Sequence, residues 1–360
     1  MSDNLFERLF ELLQSPGPIN WALAREVAGT VTGAAQPVEP KLAEEYQELT
    51  LAAQLNVTGA APLPISAAGP INPVDKAGWV DGNIEGLIVL AEPIKDQMGG
   101  GNAGVGPMGD MMGQLAPAIL GMQMGSLAGL VTHGALGQFD VGLPLQGHSA
   151  MYLIVPNVEG FATSHHLDAS QVRLWAAMNE VVFASLLEIE WFQGKLKSLL
   201  DDYFAQLEFD PQKMTEALGA LSDPSAMQDL LGDSPGVAAL LSGDGSEGLA
   251  PLQAFLAFVE GYRTHVVARA GGRLLPQLAS IENALWERNA EPNQADMFIT
   301  QFVGIDLARQ NSKIARDFCD EAARRWGIES IDEVWDNPAK LPTLGELSDP
   351  VGWAARTLLD

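Results

Sequence analysis

W-A-A-M-N-E-V-V-F-A-S-L-L-E-I-E-W-F, residues 175–192, decides how this chain is read. Thirteen of its eighteen positions are apolar and they fall on every side of a helix, so the segment reads as one helix buried in a large core. Asn179 and Glu180 interrupt the run where it is most apolar. A carboxylate there has to be paired, hydrated or protonated, because an isolated buried charge is very costly.

The spacing carries a further message. Asn179 and Phe183 are four residues apart and share a face, with Glu180 offset by one. That is the geometry of H-E-x-x-H, in which two histidines bind zinc and the glutamate acts as general base. Here the sequence is N-E-V-V-F: the glutamate is present and both histidines are absent.

Working outward, the 360 residues supply enough chain for a sizeable core. Apolar residues make up 47% and charged residues 18%, a globular composition. The net charge of −26 argues against nucleic acid and anionic membranes as partners, since both are bound by basic patches. The single Cys319 excludes an internal disulfide and a cysteine-based zinc site, and fits a reducing, cytoplasmic compartment. The first residues lack the basic and small-residue features of a signal peptide. Leu5, Phe6, Leu9, Phe10 and Leu13 instead have the spacing of a short amphipathic helix.

Along the chain the periodicity predicts helices over Trp21–Val31, with Asn20 as N-cap, and over Lys41–Leu55. Residues 56–73 read as an ordered loop, and Lys76–Gln97 as a glycine-weakened helix. The glycine-rich 98–107 reads as a flexible connection. It lacks the G-K-[ST] of a phosphate loop. Residues 111–139 carry no Asp, Glu, Lys or Arg, and Gly121, Gly125 and Gly129 repeat every four residues. A transmembrane dimerisation face and a soluble core helix compete for this segment. The internal Gln114, Gln123 and His133, and acidic rather than basic flanks, favour the soluble helix. Ala150–Val155 is the best strand. Asp168 is placed to cap the helix that contains 175–192. Further helices are predicted over Gly194–Phe209, Leu249–Ala270, Pro276–Asn289, Ala295–Gly304 and Ser312–Trp326. Residues 210–244 read as a surface segment and 336–349 as a proline-punctuated tail. In Leu249–Ala270 a single carboxylate, Glu260, again sits within an apolar run, and His265 falls on a different face. The pair His165-His166 reads as solvated. The expected fold is mainly α with a small β element. Its two regions, 1–150 and 151–360, are expected to pack as one compact unit.

Several segments together resemble the zincin-like metallopeptidases of type 2. They are I-N-W-A-L-A-R-E-V-A, G-Q-L-A-P-A-I-L-G-M-Q-M-G-S-L-A-G, F-D-V-G-L-P and V-P-N-V. V-R-L-W-A-A-M-N-E-V-V-F, F-V-E-G-Y and W-D-N-P-A-K-L-P-T-L-G-E-L-S-D-P complete the set. The resemblance implies a zincin-like helical scaffold with the motif on a buried central helix, and peptide hydrolysis by zinc-bound water in relatives with intact motifs. Glu180 then matches the catalytic glutamate, Asn179 and Phe183 fall at the two zinc-ligand positions, and Glu260 matches a downstream glutamate suited to be a third ligand. This chain departs from that pattern: Phe183 has no lone pair and an asparagine oxygen is a poor zinc ligand. Without the metal, Glu180 has no activated water to deprotonate.

The expected reading is a metal-free member, inactive as a zinc protease, that keeps a cleft for a peptide or protein ligand. Two alternatives stand beside it. One is a hydrolase that uses Glu180 and Glu260 as a carboxylate pair with an atypical metal or none. The other is a structural Glu180 paired with a buried arginine such as Arg173 or Arg263. His133, His165 and His265 are the histidines that would have to rebuild a metal site around Glu260. The glycine face at 121–129 would serve packing within one subunit or between subunits of an oligomer.

Overall fold

Asn20 opens the first helix as its sequence suggests. Its side-chain oxygen accepts from the Leu23 N–H at 3.0 Å, satisfying one of the free donors of the first turn. The computed structural model describes residues 17, 19–65, 69–88, 90–91, 107–139, 150–209, 241–242, 246–303 and 310–358. The expected N-terminal helix, the 98–106 connection and most of the 210–244 segment lie outside them.

In order, the elements are α1 (Trp21–Thr32), α2 (Pro40–Ala60), β1 (Ile71–Val74), α3 (Lys76–Asn83), α4 (Pro107–Gly134), β2 (Met151–Ile154), α5 (Val155–Ser164), α6 (Ala169–Leu187) and α7 (Phe192–Phe204). A short antiparallel pair, β3 (Glu208–Phe209) and β4 (Leu241–Ser242), precedes α8 (Ser246–Gly271), α9 (Leu278–Arg288), α10 (Gln294–Val303) and α11 (Gln310–Trp326). Two short helices, α12 (Glu329–Asp332) and α13 (Pro350–Thr357), close the chain among 3₁₀ turns. The fold is mainly α with a small parallel sheet. In that sheet β1 and β2 pair from Ile71 opposite Met151 to Val74 opposite Ile154.

Several boundaries differ from the sequence reading, among them the helix expected over 194–209, which ends at Phe204 ahead of β3. The region 56–73 holds the last turn of α2 and strand β1 rather than a loop alone. Its Gly, Ala and Pro content masked a strand whose Ile71 is fully buried and whose N–H is held by the Thr50 hydroxyl. The helix beginning at Lys76 gives way to a 3₁₀ turn at Ile84–Leu87, and Gly82 within it leaves room for the Tyr152 ring of β2. The central helix begins at Ala169, capped by Asp168 as expected, but ends at Leu187 rather than Phe192. Glu188 and Glu190 explain the stop: carboxylates oppose the negative end of a helix, and here the chain turns at the surface so that both reach water. α7 then re-enters the core with Phe192.

The glycine repeat of α4 packs inside the subunit. A Cβ on Gly121 would fall on the Asn20 carbonyl, and one on Gly125 on the Ala24 carbonyl. One on Gly129 would meet Val31 at 2.5 Å. The absent side chains therefore let α1 lie backbone-to-backbone on α4, and the Asn20 N–H donates to the Pro117 carbonyl at 2.9 Å. No helix among the described residues is long and apolar enough to cross a membrane.

α6 is the axis of the core. Every residue from Trp175 to Leu187 on it is buried, and α2, α5, α8 and β2 pack around it. α8 is its principal neighbour on the site side and leans in turn on α7 and α11. Gly261 makes the α8–α11 approach possible, because a Cβ there would meet the Ala315 backbone at 2.5 Å. A ring cluster of Trp191, Phe192, Phe258, Tyr262 and Trp335 ties the C-terminal segment to α7 and α8.

Candidate functional site

α6 and α8 face each other across a narrow cleft. Its walls include Gly137, Phe139, Trp175, Asn179, Glu180, Phe183 and Arg263. The free space within it is about 10 Å³, close to what a single water needs.

Glu180 is 3% exposed. Its Oε1 accepts from the Phe139 N–H at 3.3 Å and lies against the Cα of Gly137. The segment that carries both runs antiparallel to β2: Gln138 N–H donates to Tyr152 at 3.0 Å and Ile154 N–H to Leu136 at 2.8 Å. The Gly137 carbonyl accepts from the Trp79 indole at 3.1 Å. The glutamate of N-E-V-V-F is therefore held against a main-chain ribbon on the β2 edge.

Asn179, 7% exposed, donates its amide to the Trp175 carbonyl at 2.7 Å, one turn back on its own helix. That bond turns its Oδ1 towards α8, where it accepts from Arg263 Nη1. Phe183 stacks on Phe139 with ring centroids 5.2 Å apart. The Arg263 Cζ sits 5.6 Å from the Phe183 centroid. Glu260 and Arg263 are three residues apart on α8, so they share a face. Nε of Arg263 donates to Glu260 Oε2 at 3.0 Å and Nη2 pairs with Oε1, a bidentate clamp. Arg263 itself is 4% exposed.

The remaining candidates are engaged elsewhere. Arg173 clamps Glu159 at 2.7 and 2.9 Å and reaches Glu45 at 2.8 Å. Burial raises the Glu159 carboxyl, but hydrogen bonds from Arg173 and Tyr46 and the Arg173 charge outweigh it, and the net direction is below the ordinary glutamate range. Burial and the same carboxylate push the Tyr46 hydroxyl well up. His133 lies between the Val31 carbonyl at 2.9 Å and Lys76 Nζ at 3.1 Å. His165 ends α5 with its ring on Phe161, and His166 follows in a left-handed conformation with φ of 54°. His265 pairs with Asp320 at 2.6 Å on the α11 side of α8. Among the described residues, no three His, Cys, Asp or Glu side chains are grouped so as to hold a metal.

The sequence set Asn179, Glu180, Phe183 and Glu260 together as site positions; in the structure Asn179, Phe183 and Glu260 each contact Arg263, while Glu180 bonds to the Phe139 N–H. Sequence reasoning offered Arg263 only as a possible partner of Glu180 and did not anticipate the bonds to Asn179 and Glu260. The available signal was the opposite charge three residues after Glu260 in an otherwise apolar run.

A buried glutamate one residue into an i, i+4 pair on the central helix has the spacing of H-E-x-x-H without its histidines. The chain belongs to the zincin-like metallopeptidase family, whose model matches residues 19–354. Among solved structures it is similar to one described as "a putative hydrolase with a novel fold" from Chloroflexus aurantiacus. The identity is 21%, the match covers 95% of this chain and 99% of that one, and the TM-score is 0.66, so the two share a fold. Curated proteins contain no match to the sequence.

The donor set does not suit the zinc of such families. Phe183 offers a ring face, Asn179 an amide oxygen already taken by Arg263, and Glu260 a carboxylate already clamped at both oxygens.

Proposed function

We propose that this chain is a zincin-like protein without zinc-dependent peptidase activity, whose former catalytic centre is a closed, ion-paired part of the core. Phe183 is the observation that supports it most. At the second motif position it supplies no lone pair, it is 2% exposed, and it is stacked on Phe139. A catalytic zinc site needs three protein ligands and an open position for water. Here the second ligand position is filled by hydrocarbon and the space beside Glu180 admits about one water.

Glu180 keeps the position of the general base, but a base contributes only when an activated nucleophile and a substrate carbonyl are within reach. A peptide does not fit a space of this size. A peptide or protein ligand would have to be recognised outside this space.

The test is metal content by mass spectrometry, before and after incubation with zinc and dialysis, together with hydrolysis of an unstructured protein substrate. The expected result is no stoichiometric zinc and no cleavage above a blank. One retained equivalent of zinc with chelator-sensitive cleavage overturns the reading.

A further inference from the structure

We propose that the guanidinium of Arg263 stands where the family's metal cation would stand and takes over its structural role. The inference rests on the preceding reading of the motif and deepens it. Three groups occupy the positions at which the motif spacing and the downstream glutamate would place ligands, and all three turn to this one cation. Asn179 Oδ1 accepts from Nη1, Glu260 accepts from Nε and Nη2, and the Phe183 ring lies 5.6 Å from Cζ.

The chemistry of each group matches a guanidinium better than a metal. An amide oxygen accepts an N–H bond well and binds zinc poorly. A carboxylate takes the planar guanidinium fork through two parallel bonds. An aromatic face is negative and attracts a weakly hydrated cation, and is no use as a metal ligand. The histidine-to-asparagine and histidine-to-phenylalanine differences from H-E-x-x-H are thus of one kind: each exchanges a metal donor for a guanidinium partner. Arginine also stays charged at every relevant pH. What it does not supply is a vacant coordination position, so the cation keeps its electrostatic place and loses the power to activate water.

It follows that zinc and Arg263 exclude each other, and that restoring the histidines alone does not restore the metal. The experiment compares the wild type, Asn179→His/Phe183→His, and Asn179→His/Phe183→His/Arg263→Ala, each incubated with zinc, dialysed and analysed for metal and Tm. The triple variant is expected to retain one equivalent of zinc, to gain Tm with zinc and to lose it with chelator. The double variant is expected to bind zinc at least about tenfold more weakly, the size of effect seen when the support of a metal ligand is disturbed. Equal zinc binding by the double and triple variants overturns the proposal, as does a folded triple variant that takes none. Zinc in the wild type would instead overturn the preceding reading.

A second measurement serves if the triple variant does not fold. Arg263→Ala alone leaves a cation-shaped space facing Asn179 and Glu260. Low millimolar guanidinium ion is expected to raise the Tm of this variant and not that of the wild type. No differential rise overturns the proposal.

Discussion

The Cα of Gly137 lies against the carboxylate of Glu180, with no room between them for a methyl group. The position is crowded from the other side as well, since a Cβ at 137 would also come within 2.9 Å of the Tyr152 carbonyl of β2. Gly137→Ala therefore has to displace either Glu180 or the ribbon. Overpacking of this kind costs about 1–3 kcal/mol. Urea denaturation of the variant should show that loss, and an unchanged midpoint would mean the ribbon is free to move away.

The same reasoning applies where α1 lies on α4. Gly125→Leu places a large side chain on the Ala24 carbonyl and Val27. A loss of about 1–3 kcal/mol is expected, read as a lower thermal midpoint. A variant as stable as the wild type would show that the two helices do not pack backbone-to-backbone in solution.

Trp335 holds the C-terminal segment to the body. Its ring stacks on Trp191 at 5.9 Å and its carbonyl accepts from the Trp191 indole at 2.9 Å. Trp335→Ala removes the centre of the ring cluster and should cost about 3–5 kcal/mol. Equilibrium unfolding followed by tryptophan fluorescence measures it. A change under about 0.5 kcal/mol, the scale of an ordinary surface substitution, would place the ring outside the core.

A half-buried and a buried carboxyl give opposite pH signatures. Glu159 is held below the ordinary range in the folded chain, so its contribution is present above the unfolded pKa and is lost as pH falls through the folded pKa. Glu159→Gln should narrow its stability deficit against the wild type as pH drops from neutral into the acid range. Asp332 runs the other way. Burial raises its carboxyl despite the Tyr262 hydrogen bond at 2.8 Å and the Arg269 and His265 charges. The folded state then binds the proton more tightly, and that contribution fades as pH rises through the folded pKa. Asp332→Asn should therefore gain on the wild type as pH rises. Parallel pH profiles for a variant and the wild type would contradict the corresponding assignment.

Much of the frame was legible because it is local. The Asn20 and Asp168 caps, the strand at Met151–Ile154 and the buried run around Glu180 are written in neighbouring residues. What escaped depends on distance. The Ile71–Val74 strand exists because of a partner 80 residues away (151 − 71), and nothing in I-N-P-V announces it. The end of α6 at Leu187 is set by where the core surface falls, and only Glu188 and Glu190 hinted at it. The link between Arg263 and Asn179 spans 84 residues and could be seen only once α6 and α8 were side by side.

The parallel pairing of β1 and β2 has a kinetic side. As the chain is synthesised, Ile71–Val74 has no sheet partner until Met151–Ile154 has been made, and α4 must be laid down in between. Closing so long a loop before any contact rewards it makes this pairing a slow step. The first half of the chain expressed by itself therefore carries a strand edge without its partner, prone to association.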